Sequence, residues 1–115
     1  MRYALPLVLL AGAAHADDAT VEDATARHDG GDWTFSVTLS HGDTGWDDYA
    51  DGWRVVMEDG TVLGTRMLLH PHVNEQPCTR SLGGVSVPQD VTEVFIEAST
   101  NTAGWGTARF PMTLK

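Results

Sequence analysis

From Ala19 onward, apolar and polar residues alternate with a period of two, and no window of about eleven residues carries helical spacing. The clearest run sets Trp33, Phe35, Val37 and Leu39 against Thr34, Ser36, Thr38 and Ser40, which predicts a strand with one buried and one wet face. Thr20 to His28 predicts a weaker strand before it, joined through the hairpin turn Asp29-Gly30-Gly31-Asp32. His41 to Gly52 breaks the alternation with glycines and Asp43, Asp47, Asp48 and Asp51, and reads as a long surface loop.

Trp53 to Met57 resumes a strand, and Glu58-Asp59-Gly60 turns it into Thr61 to Leu69. With Gly60 as a left-handed third turn residue, Trp53, Val55, Leu63, Met67 and Leu69 share one face, and His70 points with Arg66 to the other. A two-residue turn would slip the register by one and reverse that inference. Thr79 to Leu82 and Val85 to Val87 read as short strands split by Gly83-Gly84. Val91 to Ser99 follows, then a loop bearing Trp105, then Ala108 to Leu114, where Pro111 points to an edge position.

Seven or eight such strands without crossover helices predict an all-β fold, an antiparallel β-sandwich of about seven strands. The first sixteen residues do not belong to it. Arg2, the apolar run Leu5 to Ala13 and the small-x-small site Ala14-His15-Ala16 read as a secretory signal peptide over residues 1–16, leaving a single domain over residues 17–115. The apolar run is about half of the roughly 20 residues a membrane-spanning helix needs, so the expected location is periplasmic or secreted, with no membrane insertion after cleavage.

Charge and cysteine narrow the function classes. Sixteen acidic against seven basic residues give a net charge of −9, which disfavours nucleic acid and anionic lipid surfaces and favours cations or a basic partner. One cysteine, Cys78, excludes an internally stapled scaffold; it is a buried apolar group, a ligand, or a pairing site for another molecule.

The chemically dense stretch is Leu68 to Arg80. Pro71 keeps His70-Pro71-His72 extended, so both imidazoles project to one side, roughly 6 to 7 Å apart at Cα, close enough to share a metal ion. Copper or zinc accepts imidazole, with Cys78, Glu75, His41 or Asp43 completing the shell. Alternatively these residues, with Gln76 and Arg80, form a polar loop bonded to its own backbone, because a connection with two prolines needs side-chain partners for its carbonyls. A third possibility is a protein partner or small ligand held by His41, Trp46, Glu75 and Arg80 at the loop end.

The acidic loop from Asp43 to Asp51 invites calcium, but its spacing does not follow an EF-hand loop and a solvated loop is expected. Trp46 and Trp105, each beside a glycine, could stack on a sugar, anchor a partner or plug an end of the sandwich. No Gly-x-Ser-x-Gly, His-Glu-x-x-His or phosphate-cradling loop is present, so a non-enzymatic protein is expected.

With Trp53 early in a middle strand and faces that alternate, the pattern resembles an immunoglobulin-like or fibronectin-like sandwich. The stretch Gly45-Trp46-Asp47-Asp48-Tyr49-Ala50-Asp51-Gly52-Trp53, together with Asp59-Gly60-Thr61-Val62-Leu63-Gly64-Thr65-Arg66 and the His-Pro-His-x-x-Glu-Gln-Pro segment, resembles small exported proteins of Gram-negative bacteria. That resemblance covers Gly45 to Arg80. It implies a periplasmic sandwich and brings no catalytic residues with it.

Overall fold

A computed structural model describes residues 18–115. The signal peptide expected over residues 1–16 lies outside the described residues. Eight strands follow in order: β1 (Thr20–Asp29), β2 (Asp32–Ser40), β3 (Ala50–Val56), β4 (Val62–Met67), β5 (Cys78–Val85), β6 (Glu93–Thr100), β7 (Gly104–Trp105) and β8 (Phe110–Thr113). They form two antiparallel sheets. One runs β1-β2-β5; the other runs β4-β3-β6, with β7 and β8 both pairing with β6.

The predicted alternation holds where it was strongest. Phe35, Val37 and Leu39 of β2 are buried and face Trp53 and Val55 of β3 and Val94, Ile96 and Ala98 of β6 across the gap between the sheets. Full burial of a valine, leucine, isoleucine or phenylalanine side chain among these stabilises the fold by roughly 1.5–3 kcal/mol. Gly30 and Gly31, both at positive φ, make the two-residue β1–β2 turn.

Three expectations need correction, each for a local backbone reason. The β3–β4 turn does hold three residues, with Met57 N–H bonded to Thr61 O at 2.8 Å and Gly60 at φ +93°. A bulge at Leu63 then slips the register: Val56 faces Val62, but Val55 faces Gly64 and Trp53 faces Arg66. Met67 and Leu69, placed on the core face by simple alternation, are therefore exposed, and Leu68 is buried instead. Gly64 now faces the second sheet. A Cβ there would meet the Leu82 side chain at 3.0 Å and that of Val85 at 3.3 Å.

Second, Gly83-Gly84 does not split a strand. It bulges one continuous strand, so that Phe35 pairs with Leu82 and Trp33 with Val85. Third, His41 to Gly52 is not a purely solvated loop: His41 and Asp43 are buried, and Ala50 already belongs to β3.

Candidate functional site

The β2–β3 and β4–β5 connections meet at one end of the sandwich, and Asp43 ties them together. Its Oδ1 accepts a hydrogen bond from His41 Nδ1 at 2.7 Å and one from Ala50 N at 3.0 Å. Its Oδ2 accepts the backbone N–H of His72 at 2.8 Å. Burial opposes ionisation of Asp43, yet the hydrogen bonds from His72, His41 and Ala50 outweigh it and hold the carboxyl below its ordinary range. The His41 ring, also buried, reaches Asp48 Oδ1 at 3.7 Å through Nε2.

Gln76 adds a second tie. Its Oε1 accepts the His41 backbone N–H at 2.9 Å, and its Nε2 donates to His72 O at 3.0 Å. Two segments about thirty residues apart in sequence are thus fastened by side chains where no strand ladder joins them.

Above this knot, Arg80 makes a fork. Its Nη2 donates to His72 Nε2 at 3.1 Å and to Glu75 Oε1 at 3.2 Å, its Nη1 donates to Glu75 Oε2 at 3.3 Å, and Nη1 also reaches Thr79 O at 2.8 Å. A guanidinium can only donate, so His72 Nε2 is the acceptor in this contact. The hydrogen bonds from Arg80 hold the exposed Glu75 carboxyl below its ordinary range. Cys78 is buried beneath, and burial raises its thiol above its ordinary range.

The donor atoms of His72, Glu75 and Cys78 lie within 4.8 Å of one another. Among the described residues this is the group with metal-ligand chemistry. His70 stands outside it, exposed, with its ring centroid 5.1 Å from that of His72. His41 is committed to Asp43.

Trp46 is 65% exposed and meets Tyr49 edge-on, with ring centroids 5.7 Å apart. It lines an open groove with His70, Pro71, His72, Val73 and Glu75. Trp105 serves elsewhere. It lies under Arg54, whose guanidinium carbon is 4.0 Å from the ring centroid, on the outer face of the larger sheet. There Glu97 accepts from Arg54 Nε at 2.8 Å and Arg109 Nε at 2.9 Å; burial opposes its ionisation, and the two arginines outweigh it.

Asp43 was legible in the sequence as a possible ligand in an acidic loop; its role as a buried acceptor for three donors was not. The available signal was the spacing His41-Gly42-Asp43, which lets an aspartate bond a ring two residues back.

No protein-family model matches the chain. Over 90 residues it is 43% identical to a protein named "Putative lipoprotein" from the archaeon Halomicrobium mukohataei, a stretch covering 77% of this chain and 44% of that one. The chain thus spans less than half the length of that relative. The likeness is to an archaeal protein, so it does not extend the resemblance to Gram-negative bacteria. A crystal structure of a hypothetical protein from Pyrococcus horikoshii OT3 superposes with a TM-score of 0.58 over 93% of this chain and 100% of that one, at 11% identity. That similarity concerns the fold alone. Among the described residues no helix is long and apolar enough to cross a membrane.

Proposed function

We propose that this is an exported, non-enzymatic, immunoglobulin-like sandwich that acts as a binding or accessory module through the end where residues 41–49 and 68–80 meet. The observation that carries the reading is the Asp43 knot. It makes two loops rigid while leaving Trp46, His70 and Val73 facing solvent around one groove. Rigid exposed aromatic and apolar side chains lose little entropy when a partner covers them. Export is supported by the residue 1–16 pattern and by the name of the archaeal relative. The net charge of −9 speaks against nucleic acid as the partner.

Two measurements test this. Alkaline phosphatase fused to the C-terminus of the full chain should be active in whole bacterial cells and inactive when Leu9 and Leu10 are changed to Arg. A photo-crosslinker at position 46 or 73 should form a discrete adduct in those cells, while one at position 89, at the other end, should not. Equal crosslinking from both ends would sink the loop-end assignment.

A second reading, a copper- or zinc-binding protein, rests on the His72, Glu75 and Cys78 donors. The metal would have to displace Arg80 from His72 and Glu75 and remove a Cys78 proton that burial holds in place. Calorimetric titration of the full chain with zinc should then show tighter binding for Arg80→Gln and weaker binding for Cys78→Ser. No heat at tens of micromolar zinc ends this reading and leaves the first intact.

A further inference from the structure

The edges of the two sheets are not treated alike. β1 carries Glu22, Asp23, Arg27 and Asp29 and is bulged between Val21 and Asp23. β5 carries Arg80 and is bulged at its paired glycines. β8 is four residues long and contains Pro111, and β7 is two residues long. Charges, bulges, proline and shortness are the usual means by which an edge is kept from pairing with another chain.

β4 is the exception. Its sequence, Val-Leu-Gly-Thr-Arg-Met, has no proline and no acidic residue. Its one bulge lies near its start, and among the described residues it pairs with β3 alone. Its one charge, Arg66, faces Trp53 on the inner side, with its Nε buried without a hydrogen-bond partner and its Nη1 reaching the Met67 carbonyl at 3.5 Å. Val62 and Met67, by contrast, are 45% and 51% exposed, and the strand runs on into Leu69, which is 74% exposed.

Charge selects the occupant. Exposed Glu58 and Asp59 stand at the turn where β4 begins, and exposed Glu75 lies in the connection that follows its end. A second copy would bring another chain of net charge −9 against this edge. We propose that the free edge of β4 accepts an extended, cationic segment of another protein as an added strand, its apolar side chains resting on Val62 and Met67 and its basic ones facing Glu58, Asp59 and Glu75. Main-chain hydrogen bonds supply affinity in this mode, and alternate side chains supply selectivity. The proposal shares Glu75 with the loop-end groove and otherwise stands apart from it.

The probe is a labelled eight-residue peptide alternating valine and lysine, titrated against the full chain by fluorescence anisotropy, with backbone amide exchange followed in parallel. Expected are saturable binding that weakens with salt, slowed exchange over Val62–Met67, and at least a tenfold loss of affinity in Val62→Lys and in Met67→Lys. Both side chains are about half exposed, so both variants should keep the parent melting temperature. The proposal is overturned by absence of saturable binding, by indifference to both lysines, by equal binding of a valine–glutamate peptide, or by a dimer of the chain that Met67→Lys dissociates.

Discussion

Two carboxylates of the loop end, Asp43 and Glu75, are both held below the ordinary range, yet they have little else in common. Asp43 is sealed from solvent and accepts hydrogen bonds from two backbone amides and a ring, each from a different stretch of chain. Glu75 is exposed and answers to one guanidinium five residues away. Removing Asp43 strands buried donors that water cannot reach, whereas removing Glu75 returns Arg80 to water. Position in the fold, not charge or depressed pKa, decides which carboxylate the structure depends on.

The largest expected effect follows directly. Asp43→Ala should cost about 3–4 kcal/mol in urea unfolding, from a lost charged acceptor and donors left unpaired. A cost under about 1 kcal/mol would break the comparison. Next is acid pH. The folded pKa of Asp43 lies below its unfolded value of about 4, so its contribution is complete above that value and is lost as pH falls through the lower folded one. Thermal melts should show stability dropping below about pH 4 in the parent chain, and a shallower drop in Asp43→Asn.

Smaller effects belong to the exposed fork. Arg80→Gln should cost at most about 1 kcal/mol, because its ion pair is largely solvated. Glu75→Gln should leave the melting temperature unchanged within error; a clear fall would mean that the fork, and not the knot, holds the loops together. Trp46→Ala should likewise alter stability by no more than about 0.5 kcal/mol while removing any crosslinked adduct formed at the groove.

Much of the architecture was readable from residue type. The Trp33 to Ser40 alternation, the Asp29-Gly30-Gly31-Asp32 turn and Pro111 on an edge strand all appear as expected, and the turn at Gly60 takes the three-residue form of the two that its glycine allowed. These are local matters, set by side-chain period and by which residues tolerate positive φ. The faces of Met67 and Leu69 were not readable, because a one-residue bulge at Leu63 leaves no mark in composition and inverts every side chain after it. The candidate site was half legible: its residue types stood out around His70, but which of them meet depends on two distant loops closing on Asp43.

The sequence by itself determined a strand-rich domain with an acidic surface, a single cysteine and a polar His-Pro-His connection, since all of these follow from composition and period. Only the tertiary structure decided that His72 faces Arg80 while His70 faces solvent, that β4 is an edge strand of the larger sheet, and that one buried aspartate fastens the loop end. The Asp43 tie joins segments about thirty residues apart, and the other two outcomes follow from strand register and loop path, none of which composition or period records.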